Sequence, residues 1–371
     1  MLFEFSDEQL EFRTVVSRFL NDMSPSREVR RLMETEEGYD PVVWKKMSDE
    51  LGLQALIIPE EYGGSGGSLV DLIGVFEETG YALMCAPYFS TIGLAANILL
   101  QSQDDEAKAE YLPEIASGLM IGTAAVPLGS PQSISSSALI FANGSGKKYF
   151  LDGVAPVVMD AHVSDLLIVI ANTSSGPSLF VVRSKSPGVS TRQLSTGDLT
   201  RKFARLTLTN SPGRLIGREG GALEILRPAI AQAYVCLALE QVGGAQKCLD
   251  MAVDYANERT QFGRTIGSFQ AIKHMCADTL LEVESAKSAS RFAAWTLAES
   301  GPENYEVASL AKACSSEAYI LAASNNIQIH GGIGFTWELD CHLYYKRAKS
   351  SEVLLGMPRH HRAAIADCLM I

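Results

Sequence analysis

Two short segments carry residue types suited to a phosphate-bearing ligand. They are Arg259-Thr260-Gln261-Phe262-Gly263 and, 69 positions later, Gln328-Ile329-His330-Gly331-Gly332. A guanidinium meets a dianionic pyrophosphate through paired, charge-assisted hydrogen bonds. Adjacent glycines remove side chains where a backbone must come close to a ligand. Gln261, Gln328 and the downstream Gln270 carry donors for phosphate or ribose oxygens, and Phe262 and Phe269 can cover a flat ring. Each residue alone has a plainer reading: a surface ion pair for Arg259, a helix C-cap for Gly331-Gly332, core for the two phenylalanines. Their joint presence is what points to a ligand.

Other chemistries find less support. The six histidines (162, 274, 330, 342, 360 and 361) form no HxxxH pair with an acid at ligand spacing, so no metal centre is expected. The seven cysteines are odd in number and never at CxxC spacing, which reads as reduced, mostly buried thiols in a cytoplasmic protein. No Ser/His/Asp or Cys/His arrangement stands out. A net charge of −12 argues against nucleic acid or an anionic membrane as the main partner.

The elements that must position these residues fall into three stretches. Residues 1–120 read as a helical domain. Ser6 with Gln9 makes a capping box, and Asp40-Pro41 supplies an N-cap and a first helical residue. The stretch from Thr79 to Gln103 carries no charge, and Pro87 makes a natural start for a buried core helix rather than a membrane span. Residues 121–215 hold short runs rich in β-branched and aromatic residues, separated by turn chemistry, and read as a compact antiparallel β domain, barrel or sandwich. From 216 to 371 the helical period returns, with long stretches over 222–258, 266–299, 303–331 and 358–370. These suggest a four-helix bundle carrying both ligand segments.

This helix–β–helix order, of α+β class, resembles the acyl-CoA dehydrogenase family over essentially the whole chain. Arg259-Thr260-Gln261-Phe262-Gly263-Arg264 followed by Ser268-Phe269-Gln270 matches the family's RxxFG…xxFQ segment. Gln328 to Phe335 matches its QxxGGxGF segment, and Glu60-Glu61-Tyr62-Gly63-Gly64 its early PEEYGG turn. The resemblance implies FAD as cofactor, an acyl-CoA thioester as substrate and an electron-transfer flavoprotein as acceptor. It also implies a tetramer in which Arg259, Gln261, Phe262, Phe269, Gln270, Gln328, Ile329, His330, Gly331 and Gly332 serve the FAD of a neighbouring subunit.

The resemblance fails where the family's chemistry happens. The reaction needs a carboxylate at the substrate α-carbon. Leu355 stands at the usual position for it and Ala233 at the alternative one on the first bundle helix. Glu352 is a poor substitute by spacing. Glu240 lies two turns beyond Ala233 in an apolar run, where an unpaired carboxylate would be costly, so it reads as a buried ion pair or a relocated base. The family's TEPxxGSD segment is here Val126 to Ser133, and its flavin-packing WxT segment falls at Val157-Val158-Met159, with no tryptophan between Trp44 and Trp295. The preferred reading is a non-catalytic subunit that shares FAD with a homologous catalytic chain in a heterotetramer, acting on a bulky or sterol-derived acyl-CoA. The alternatives are a self-sufficient homotetramer with Glu240 as base, and a non-redox acyl-CoA-binding scaffold.

Overall fold

The computed structural model describes residues 5–126, 139–146, 148–301 and 304–370. The N-terminal helices are α1 (Asp7–Met23), α2 (Ser26–Met33), α3 (Pro41–Asp49), α4 (Leu72–Tyr81), α5 (Phe89–Gln101) and α6 (Asp105–Ala116). Ser6 caps α1 through the reciprocal pair with Gln9, and Asp40 caps α3 ahead of Pro41. The uncharged stretch from Thr79 to Gln103 is not one helix. α4 ends at Tyr81, Leu83 takes a left-handed φ of 50°, and α5 begins just beyond Pro87 with a widened π-helical first half. Every residue of that first half is buried, which satisfies the apolar pattern without a continuous helix.

Seven strands follow: β1 (Gly122–Ala125), β2 (Ile140–Ser145), β3 (Lys148–Met159), β4 (Leu166–Thr173), β5 (Gly176–Arg183), β6 (Val189–Gln193) and β7 (Phe203–Ile216). Most pairings are antiparallel, but β1 and β2 both run parallel to β4. β5 pairs with both β7 and β4, so the sheet closes into a barrel. Alternate side chains of β3, β4, β5 and β7 fill the interior around Leu151, Leu167, Phe180 and Leu206.

The C-terminal half contains α7 (Ala222–Glu258), the hairpin β8 (Thr260–Gln261) and β9 (Arg264–Thr265), α8 (Gln270–Ser300), α9 (Tyr305–His330), α10 (Cys341–Val353) and α11 (Pro358–Leu369). The bundle is α7 to α10. The sequence pattern gave 358–370 as its fourth helix, yet α11 packs on α9 while α10 lies against both α7 and α9. Among the described residues α7 is the one helix long and apolar enough to cross a membrane, and 72% of its apolar window is buried inside the fold.

α7 also touches α4 closely enough to dictate residue type. A Cβ on Gly243 would sit 1.8 Å from the Glu77 carbonyl oxygen, and one on Gly80 1.9 Å from that of Glu240. Neither helix backbone can yield without parting from its other neighbours. Gly243→Ala is therefore expected to destabilise the fold by about 3 kcal/mol or more, at the upper end of overpacking costs. Denaturant unfolding should show the loss as a lower midpoint at unchanged slope.

Candidate functional site

The two ligand segments meet at the far end of α7. Arg259 is its C-cap, and the chain then turns sharply through the β8–β9 hairpin. Phe262 and Gly263 are the two turn residues, with φ of 52° and 76°. Positive φ at both central positions is the turn that matches strand twist. Holding Phe262 there is unfavourable for a bulky residue, and it leaves the ring 92% exposed. The Phe269 ring stands edge-on to it at 6.1 Å, and the Arg264 guanidinium lies over Phe269 at 4.1 Å.

The second segment joins from α9. His330 stacks on Tyr255 at 4.1 Å, and its Nδ1 lies 2.8 Å from the Asn326 carbonyl oxygen. Burial pushes His330 below the usual histidine range, so the ring is neutral at physiological pH. Ile329 is buried with Ala252 and Ala256 of α7, and Ile266 packs on the same cluster. Gln328 remains exposed, and a Cβ on Gly331 or Gly332 would meet nothing within 4 Å. The structure thus brings Arg259, Gln261, Phe262, Phe269, Gln270 and the Gln328–Gly332 segment to one end of the bundle. Among the described residues the Arg259 guanidinium and the amides of Gln261, Gln270 and Gln328 make no side-chain bond within the chain.

The two positions where the resemblance places a base look inward. Leu355 is buried in the main core with a φ of 60°, and Ala233 is fully buried. Next to Ala233 in the chain, Tyr234 packs edge-on to His361 at 4.6 Å and bonds Tyr305, hydroxyl to hydroxyl, at 2.8 Å. Burial drives His361 down to about 3, so it is neutral there. Glu352 pairs with Lys349 at 3.2 Å.

Glu240 does not stand as a free base. Its Oε1 takes a short contact from the Arg201 guanidinium and a 3.1 Å bond from Arg347. Arg347 in turn bonds Thr200 through Oγ1 at 3.0 Å and the carbonyl at 2.8 Å, and lies 3.3 Å from Asp198. With two guanidiniums on one oxygen, the Glu240 carboxylate is engaged in a buried ion-pair cluster rather than turned toward a substrate. The void these residues border, about 30 Å3, has room for little more than a water. Sequence reasoning did not anticipate Arg201, Asp198 or Asp160. The Asp160 carboxyl accepts from Ser90 Oγ at 2.6 Å, and burial raises it to about 6.

A larger cavity, about 890 Å3, opens between the barrel and α10. Ile140, Ala155 and Val157 line it from the barrel, and Tyr345, Lys349 and Val353 from α10. Val157 opens the segment that stands where relatives carry WxT. Of the TEPxxGSD counterpart only Val126 is among the described residues, and it too lines this cavity.

Two family models match the chain: the acyl-CoA dehydrogenase N-terminal domain over residues 6–119 and the C-terminal domain over 221–370. The chain belongs to the acyl-CoA dehydrogenase family. It is therefore an oxidoreductase of a flavoprotein family. It is similar to acyl-CoA dehydrogenase IpdE2 of Mycolicibacterium smegmatis, 34% identical over 95% of this chain and 96% of that one. Its fold matches the ChsE4–ChsE5 complex of Mycobacterium tuberculosis with a TM-score of 0.89, at 26% identity, covering 100% of this chain and 99% of that one. It also matches the Tcur3481–Tcur3483 steroid acyl-CoA dehydrogenase with a TM-score of 0.88, at 27% identity and 98% of both chains.

For an acyl-CoA dehydrogenase the end of α7 fits the phosphate part of FAD. An exposed guanidinium and three amides without side-chain bonds among the described residues, together with a glycine pair facing open space, match an anionic, hydrogen-bonding ligand. The usual proton-abstracting machinery does not fit, because neither Leu355 nor Ala233 can accept a proton.

Proposed function

We propose that this acyl-CoA dehydrogenase chain is the non-catalytic, FAD-sharing subunit of a heteromeric enzyme. A homologous partner chain supplies the base and the isoalloxazine pocket. One observation carries the reading: Arg259, Gln261, Gln270 and Gln328, exposed and without side-chain bonds among the described residues, lie on a chain with buried Leu355 and Ala233 where the resemblance places the base. Arg259 would pair with the pyrophosphate, Phe262 and Phe269 would cover the adenosine, and Gly331-Gly332 would admit its close approach. FAD supplies the hydride acceptor when bound; the partner's carboxylate takes the α-proton. The likeness to a two-chain complex and to a steroid enzyme supports a heterotetramer and a bulky, sterol-derived acyl group. An electron-transfer flavoprotein would reoxidise the flavin.

The 890 Å3 cavity beside Val157 favours a second reading, a homotetramer that seats its own isoalloxazine there. Flavin content separates the two. Expressed alone, the chain should purify with well under 0.1 FAD per protomer, in keeping with half a site. Co-expressed with a homologue that carries base and WxT segment, the pair should hold about one FAD per heterodimer. A yellow, fully loaded homotetramer that oxidises acyl-CoA unaided would end the first reading.

A further inference from the structure

Lys312 lies in the N-terminal half of α9 and is fully buried. Among the described residues no carboxylate comes within ion-pair distance of its ammonium. It donates instead to Ser316 Oγ at 2.7 Å and to the Ser351 carbonyl at 3.1 Å, with the Glu352 and Gly356 carbonyls at 3.5 Å. Three of these four acceptors belong to one feature, the C-terminal end of α10 and the linker that follows it. The last carbonyls of a helix lack intrahelical donors and carry the negative end of its dipole. A buried cation set against them satisfies both.

That linker needs a device to hold it. Leu355 sits at φ 60° and Gly356 at φ 108°, so the chain passes through two backbone conformations that do not form a regular element. Its own bonds are few and long: Leu354 N to Ser350 O at 3.3 Å, Gly356 N to Val353 O at 3.2 Å and Met357 N to His360 Nδ1 at 3.3 Å. Val353 and Leu354, at its start, line the 890 Å3 cavity.

We propose that Lys312 is the positioning residue that seats the α10–α11 linker, and with it the α10 wall of the large cavity, by bonding the carbonyls of Ser351, Glu352 and Gly356. The ammonium pins this segment to α9 from within the bundle. Ser316, which also exchanges hydrogen bonds with Gln241 of α7 at 3.1 and 3.3 Å, holds the ammonium in place. The inference stands apart from the heteromeric reading, because its test is made on the chain by itself.

Amide hydrogen exchange supplies that test. Lys312→Met removes every donor and should lower protection of the amides of 354–357 tenfold or more, while amides in the middle of α9 keep theirs. Unchanged linker protection, or an equal loss throughout the bundle, would overturn the proposal. The wild-type chain gives an independent signature should that variant not fold. Burial pulls Lys312 down to about 7, and opening the linker to water would restore its ordinary value. Opening then takes up a proton, so it becomes easier as pH falls.

The other groups around the ammonium cannot mimic that dependence. Glu352 on α10 pairs with Lys349, and Arg201 from the β6–β7 segment pairs with Glu240 of α7. His361 on α11 regains its ordinary value when the linker opens, but takes up its proton only below about 6.5, so it adds nothing above pH 7.5. Wild-type linker protection, corrected for intrinsic exchange, should fall on the order of tenfold or more from pH 9.5 to 7.5. Ser316→Ala should reduce protection at the same amides. A flat wild-type profile sinks the proposal as surely as an indifferent Lys312→Met.

Discussion

Replacing Arg347 by alanine is expected to remove about 3–5 kcal/mol of folding stability, the cost of stripping one partner from a buried ion pair. Arg347 is 4% exposed and bonds or pairs with four residues in three parts of the chain. They are Glu240 on α7, Asp198 and Thr200 before β7, and the Met84 carbonyl between α4 and α5. Without it two carboxylates stay buried, and among the described residues only Glu240 keeps a paired cation, Arg201. The Asp198 Oδ2 atom, which has no hydrogen bond of its own, would lose its counter-ion entirely. Arg362→Ala offers the contrast. Its pair with Glu317 is largely exposed, and such pairs contribute about 0–1 kcal/mol. Denaturant midpoints of the two variants should differ several-fold in their shift. Equal, small shifts would mean that water reaches the Arg347 cluster and screens it.

That cluster marks the limit of what the sequence discloses. Local signals were readable because their causes are local. Ser6 with Gln9, Asp40 with Pro41, and the apolar run of α7 ending before Arg259 each specify an element from a few neighbouring residues. The approach of the two ligand segments could be anticipated only through family resemblance, since 69 residues separate them. What joins them in space is the Tyr255–His330 stack on α7 and α9.

Where tertiary packing decides, the pattern misleads. Pro87 announces the start of α5, but Met84, Cys85 and Ala86 carry no turn chemistry to show how the chain leaves α4. α10 is easily missed because His342, Arg347 and Ser351 are buried polar residues, which blur its apolar stripe. Glu240 shows the same limit at a single residue. Its apolar neighbours announce that a carboxylate is buried; only the positions of Arg201 and Arg347, 39 and 107 residues away, say that it is paired.

Arg259→Ala should have the largest functional effect of any single substitution on the bundle surface. In the co-expressed complex FAD affinity is expected to fall about 30- to 150-fold. That is the loss of charge-assisted phosphate bonds amounting to about 2–3 kcal/mol at a partly solvated site. Arg259→Lys keeps the charge but not the planar fork, so an intermediate loss of about tenfold is expected. Flavin fluorescence during titration of the apo complex reads both. The same substitution should leave the unfolding midpoint of the isolated chain unchanged, because the guanidinium has no intrachain bond among the described residues to lose. This pairing of outcomes separates a ligand contact from a structural one. The backbone of Arg259 ends α7 and receives the Ile266 N–H at 2.8 Å whatever the side chain is. A fall in FAD affinity with stability intact therefore locates the guanidinium's partner outside this chain. If affinity holds and stability drops, Arg259 is a surface residue of the bundle and the exposed Phe262 hairpin must owe its strain to another partner.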